Sequence, residues 1–208
     1  NFSIVPNLQK ILKKGDRKVT VAVFEGNEIL SVWPGYHDSI FGVSLDIGST
    51  TVAACLSDLS SGDVIASVNT MNPQIRFGED LMSRVSFAMM NSNGAHQMTD
   101  SIRGAINDLL HELTEESNAP LTSILEISIV ANPVMHHILL GIDPCELGGA
   151  PFSLAIDTSV SEAAVNFGLN INPGGKVYVL PCIAGHVGAD TAGVILSEKP
   201  LGLKISIV

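Results

Sequence analysis

From residue 41 to residue 71, apolar and polar positions alternate in three short runs, 41–47, 52–57 and 64–71, separated by turns at 48–50 and 60–63. Period-two alternation predicts strands. Connections this short force neighbouring strands to run antiparallel, since a parallel pair needs a crossover of about a dozen residues or more. The period then changes. Residues 79–90 and 99–116 carry apolar side chains three and four apart, with Ile102, Ile106, Leu109, Leu110 and Leu113 on one face, and predict two amphipathic helices. A buried strand over 124–131 follows, then a helix over 133–140 that Asn132 precedes and Pro133 opens. A strand over 177–180, a helix over 188–198 and an apolar run over 203–208 that reads as a strand complete the chain. Upstream, residues 6–14 read as a short helix stopped by Gly15, and 19–24 with 29–33 as a hairpin turning at Gly26 and Asn27.

Three antiparallel strands followed by helix, strand, helix, strand, helix form an α/β fold. The order is that of a ribonuclease-H-like lobe, a mixed five-stranded sheet flanked by helices, with parallel strands added through helical crossovers. The expected organisation is a remnant of a preceding domain and a linker over 1–40, one lobe over 41–200, and the first strand of a second lobe over 201–208. The start at Asn1 rather than Met fits a segment cut from a longer protein.

Composition narrows the function. An apolar share of 46% with 15% charged residues is that of a globular interior. A net charge of −10 and the lack of any clustered basic face beyond residues 10–18 argue against nucleic acid. No apolar run is long enough to cross a bilayer and no leader opens the chain, so a cytoplasmic setting is expected. Cys55, Cys145 and Cys182 are scattered and odd in number, which fits a reducing compartment and small apolar packing roles rather than an iron–sulfur cluster within these residues.

The stretch LDIGSTTVAACLSD, residues 45–58, carries the most chemistry. An apolar strand delivers Asp46, Gly48 permits a tight turn, and Ser49, Thr50 and Thr51 offer hydroxyls and amides before the next strand. Such a hairpin tip can wrap the β- and γ-phosphates of a nucleotide, with Gly48 admitting a close approach and Asp46 holding Mg²⁺ through its water shell. The loop lacks the Gly-Lys-Ser/Thr of a P-loop, and its glycine leads into a strand, unlike a Rossmann turn.

The loop resembles the first phosphate motif of the ASKHA superfamily, which contains actin, the 70-kDa chaperones and the sugar kinases. More narrowly, FGVSLDIGSTTVA (41–53), NPQIRFGEDLMSRVSFAM (72–89), VANPVMHHILLGIDP (130–144), GGAPF (148–152) and LPCIAGHVGADTAGVIL (180–196) together look like the reductive activators of corrinoid proteins, which join a plant-type ferredoxin domain to an ASKHA domain. The resemblance implies ATP with Mg²⁺, a [2Fe-2S] cluster in a domain outside these residues, and a corrinoid protein as partner. In such a protein ATP drives electrons to an inactive Co(II) corrinoid and restores the Co(I) state needed for methyl transfer. No membrane role is implied, and a homodimer is left open.

In ASKHA proteins the helix after the last strand of the first lobe often carries the group that positions water. Here that assigns Asp190, for that role or for contacting Mg²⁺, with Gly188 and Gly193 allowing close helix crossing, and helix capping by Asp190 as the plain alternative. Asn132 ends a strand on the side where open sheets bind ligands and is expected to line the cleft. Glu79 and Asp80 begin a helix, where capping and function weigh equally. His136 and His137 lack a third ligand at metal spacing and are read as packing or partner contacts. Met71, Met82, Met89 and Met90 are read as core filler. No second phosphate loop occurs in the chain, so weak or absent ATP hydrolysis by these residues alone is expected. The rival readings are a small-molecule kinase using Asp190 as base and a non-catalytic docking domain.

Overall fold

The computed structural model describes residues 4–198. The strand expected over 203–208 lies outside the described residues.

The three alternating runs are strands β3 (Phe41–Ile47), β4 (Thr51–Asp58) and β5 (Val64–Met71), preceded by the hairpin β1 (Val19–Phe24) and β2 (Glu28–Pro34) and the short helix α1 (Leu8–Lys14). Helices α2 (Leu81–Met90) and α3 (Gly94–Ser117) follow, then β6 (Ile124–Ala131), α4 (Pro133–Leu140), β7 (Val160–Ala163), β8 (Lys176–Val179) and α5 (Ala189–Glu198). The main sheet has the order β5-β4-β3-β6-β8-β7. Pairs β3/β4 and β4/β5 are antiparallel, and β3/β6 and β6/β8 are parallel. The five expected strands therefore lie side by side in this α/β lobe, with one short edge strand more. β7 pairs antiparallel with β8, and its exposed, polar Ser161 and Glu162 hide a four-residue strand from any periodicity test.

Strand register explains the core. Val68, Ala54, Leu45, Ile129, Val179 and Val160 form one row across all six strands, each the cross-strand partner of the next. Because side chains alternate between faces, this row and the neighbouring Ile47–Val52–Ala131 set point to one side. Helix α3 covers that side with Ile102, Ile106, Leu109, Leu110 and Leu113, all 1% exposed or less. Each contributes roughly 1.5–3 kcal/mol of burial. Gly94 and Met98 are also buried, so α3 starts five residues earlier than its apolar period suggested. It ends where Asn118 takes a left-handed conformation, φ 56°. Helix α2 starts at Leu81 because Asp80 is its N-cap, its carboxylate accepting from the Ser83 amide at 2.7 Å.

Among the described residues the opposite face is sparsely covered. There α5 packs on β6, with Gly193 close to Val130. The upstream hairpin is tied to the sheet by Lys176, whose ammonium lies 2.6 Å from Glu28, and by Asn172, whose amide donates to Ser31 Oγ at 3.0 Å.

The methionines correct their reading. Met71, Met82, Met89 and Met90 are 70%, 51%, 68% and 83% exposed, so they are not core filler. On α2 the inward positions are instead Arg84, Val85 and Ala88, one turn apart, which leaves the methionine side facing out.

Candidate functional site

The C-terminal ends of the parallel strands β3 and β6 lie together, with Ile47 opposite Ala131, and the sequence that follows each strand meets there. After β3 comes the hairpin tip Gly48–Ser49–Thr50, and after β6 comes Asn132. The tip closes with the Gly48 amide donating to Thr51 O at 3.0 Å. A Cβ on Gly48 would come within 2.8 Å of that same oxygen. The glycine is thus required by closure of the turn itself, a nearer constraint than the ligand approach expected from sequence.

Three carbonyls of the tip are held from inside the protein. Gly48 O accepts from Asn72 Nδ2 at 2.7 Å, Ser49 O from Arg84 Nη2, and Thr50 O from the Asn72 amide at 2.8 Å. A trans peptide is planar and sends its C=O and N–H in opposite directions. Tying back the Gly48 and Ser49 carbonyls therefore turns the Ser49 and Thr50 amides outward. Neither amide has a hydrogen-bond partner among the described residues. Outward, unpaired main-chain amides beside hydroxyl side chains are groups that can donate to an anion. Thr50 and Thr51 are exposed and Ser49 is half-buried.

The anchors are themselves buried: Asn72, Gln74 and Arg84 are each 0% exposed. Asn72 Oδ1 accepts from the Gln74 amide at 2.9 Å, and Gln74 Nε2 donates to Met98 O at 2.9 Å. Sequence reasoning gave these three no role. Their only signal was their place inside the 72–89 stretch, where an arginine at helical spacing reads as a solvated side chain.

Asp46 faces away from the α3 core, into a shallow hollow of about 300 Å³ whose lining includes Ser44, Cys55, Ser128 and Val130. Its carboxyl is raised from the ordinary aspartate value, first by partial burial and then by repulsion from Asp190. The structure thus brings Asp46 and Asp190 to one place although 144 positions separate them in the chain. Two neighbouring carboxylates, one of them held above its usual range, suit a divalent cation, which would relieve the repulsion. Asp190 stands in the first turn of α5 and its carboxylate also accepts from the Thr191 amide at 2.7 Å. Gly188 sets its position. A Cβ there would lie 2.6 Å from Ala131 O and from Asn132 Cα, so only glycine lets the helix start this close to β6. Asn132 is half-buried beside it, and its Oδ1 caps α4 by accepting from the Met135 amide at 3.0 Å.

The other candidates resolve differently. Asp80 caps α2, and the Ser83 hydrogen bonds pull its carboxyl below the usual range. Glu79, beside it, is exposed. His136 and His137 are both buried on α4. His137 bonds Pro133 O through Nδ1 at 2.9 Å and accepts from the Ala155 amide through Nε2 at 3.0 Å, which fixes it as a neutral clasp on the following loop. Burial, then His137, lower His136 to about 4, so its ring is uncharged near neutrality. Among the described residues no group of three His, Cys, Asp or Glu side chains is placed to hold a metal. No helix among them is long and apolar enough to cross a membrane. A larger hollow, about 540 Å³, lies between the upstream hairpin and Asp58, at the far end of β4 from the tip, and shares none of these residues.

Strand order and connectivity define the class: a ribonuclease-H-like lobe of the actin-like kind, with the hairpin tip and Asn132 at the C-terminal ends of β3 and β6. Within it, the chain belongs to the RACo middle region family, whose family model matches residues 41–199, and the RACo linker region matches residues 1–39. It is 28% identical over 213 residues to the corrinoid activation enzyme RamQ of Eubacterium limosum, covering the whole of this chain and 36% of that protein. Among solved structures it resembles a reductive activator for corrinoid, iron-sulfur protein, with TM-score 0.86 and 29% identity over 98% of this chain and 33% of that one. The chain thus spans about a third of the length of these relatives.

Proposed function

We propose that this chain is the first lobe of an ATP-dependent reductive activator that returns a Co(II) corrinoid protein to Co(I) for methyl transfer. Support comes from the names of both relatives and from the tip at 48–50, whose carbonyls are tied back so that two free amides face out. In this reading the Ser49 and Thr50 amides, with the Thr50 and Thr51 hydroxyls, hold the β- and γ-phosphates of ATP. Asp46 holds Mg²⁺ through its water shell, and Asp190 orients water or that same hydration shell. Asn132 and Gly188 shape the wall beside them. Residues 41–200 act as the first lobe, residues 1–40 connect it to a preceding part, and 201–208 open the second lobe.

A [2Fe-2S] cluster held outside these residues would supply single electrons. Reducing Co(II) to Co(I) is strongly uphill, and the lobe contributes by favouring one arrangement of activator and corrinoid partner when nucleotide is bound. We place the protein in the cytoplasm, acting as a monomer or homodimer.

The test uses the full-length protein. Calorimetry should detect Mg-ATP binding, and visible spectra of a corrinoid protein should show Co(I) forming only when ATP and an electron donor are both present. ATP-independent reduction at the same rate would overturn the reading, as would the absence of Mg-ATP binding.

A further inference from the structure

We infer that Arg84 is a positioning residue whose buried charge waits for the phosphates of the bound nucleotide as its counter-ion. The inference rests on the phosphate reading of the tip and extends it to a residue that reading does not contain.

Arg84 is fully buried on the inward side of α2. Its guanidinium makes four contacts: Nε to Gly78 O at 3.0 Å, Nη1 to Gln74 Oε1 at 3.5 Å and to Met135 Sδ at 3.1 Å, and Nη2 to Ser49 O. Every partner is neutral. The ion pairs found among the described residues do not include it, and the nearest acid to influence it is Asp80 on the exposed helix cap. Burial lowers its basicity from the usual arginine value, yet a guanidinium keeps its proton at neutral pH.

A buried cation without a carboxylate is costly, and buried charges are ordinarily paired. A purely structural prop for Ser49 O could be a neutral donor, as Asn72 is for Gly48 O on the same loop. What distinguishes Arg84 is charge at the one place where a polyanion would rest on the other side of a single peptide plane. Through that plane the guanidinium polarises the Ser49–Thr50 peptide, strengthening the outward amide as a donor, and adds its own attraction in a medium less screening than water. The effect grows with ligand charge, so it acts on triphosphate more than on monophosphate.

The experiment compares full-length wild type, Arg84→Gln and Arg84→Lys by calorimetry with Mg-ATP, with thermal melts beside it to check that each variant folds. Arg84→Gln keeps an amide donor and drops the charge, and Arg84→Lys keeps the charge and drops the fork. The expected result is a loss of tenfold or more in Mg-ATP affinity for Arg84→Gln and a loss of threefold or less for Arg84→Lys. A loss in Arg84→Lys equal to or greater than that in Arg84→Gln overturns the inference, because a prop that acts only by shape gains nothing from the charge of lysine. Should Arg84→Gln not fold, Arg84→Lys decides: keeping a third or more of the ATP affinity supports the charge role, and a larger loss overturns it. Wild type that binds no Mg-ATP would remove the phosphate reading itself, an outcome separate from wild type that binds and variants that keep its affinity.

Discussion

At the scale of single residues, the structure sets two carboxylates, Asp46 and Asp190, against each other. Asp46 is exposed to solvent on one side, yet burial and Asp190 raise its folded value above the ordinary 3.8. Between those two values the folded chain holds more protons than the unfolded one, so stability falls as pH rises through that window and a fixed penalty remains above it. Asp46→Asn removes the penalty. Without nucleotide, the variant should melt about 1–2 °C above wild type at pH 7, a figure kept small because solvent screens one side of the group. Its advantage should shrink as pH falls through the window. Mg-ATP affinity should drop at least tenfold in the same variant. Thermal scans at pH 7 and pH 4 beside calorimetry check this, and a variant that melts below wild type at pH 7 would contradict it. Opposite signs for stability and binding are what separate a ligand group from a structural one.

Among elements, the decisive junction is the start of α5 against the end of β6. Gly188→Ala drives a Cβ to 2.6 Å from two main-chain atoms, Ala131 O and Asn132 Cα, neither of which can swing aside. The helix must lift, at a cost of about 1–3 kcal/mol, and carry Asp190 away from Asp46. Gly193→Ala meets only Val130 Cγ1, at 3.1 Å, and should cost less than half as much. Denaturant midpoints would rank the two variants, and Mg-ATP affinity should collapse for Gly188→Ala alone. Equal effects would mean that helix placement does not govern the carboxylate pair. The same elements show what the sequence made legible. β3, β5, β6 and α4 are found at their expected bounds, because alternation, a short turn or a capping Asn-Pro marks each end. β7 was hidden, since four residues with two polar side chains carry no period. Arg84 was hidden for a different reason. A charged residue on an amphipathic helix reads as solvent-facing, and its buried place comes from partners on other segments, namely Gly78 O, Gln74 Oε1, Met135 Sδ and Ser49 O at the tip of the β3–β4 hairpin. Met82, Met89 and Met90 are the converse case, apolar residues left exposed because Arg84, Val85 and Ala88 take the inward side of α2.

For the whole molecule, the question is how the upstream hairpin is held to a lobe whose candidate site lies at the other end of the sheet. Among the described residues its side-chain bonds to the lobe are few and converge on β8 and the turn before it. Ser31 meets Asn172 Nδ2 at 3.0 Å, Glu28 meets Lys176 at 2.6 Å, and Lys176 lies 5.0 Å from the centre of the Phe24 ring. β8 runs from Lys176 directly into the 180–188 segment that delivers Gly188 and Asp190. A hairpin held mainly at the root of that strand can open without breaking the α3 core, yet its release changes what restrains the strand. Asn172→Ala leaves the buried Ser31 hydroxyl unpaired and frees the Gly174 amide that Asn172 Oδ1 accepts at 2.9 Å, costing about 1–3 kcal/mol. Hydrogen exchange should then rise more than tenfold across Val19–Pro34, rise modestly in β8, and stay unchanged in β3, β4 and β6. A uniform rise across the sheet would mean that hairpin and lobe open only together, and that the linker is part of one cooperative unit. The local outcome would instead make the hairpin a separable clasp, with Lys176 at the join and the Asp46–Asp190 pair at the far end of the same strand's path.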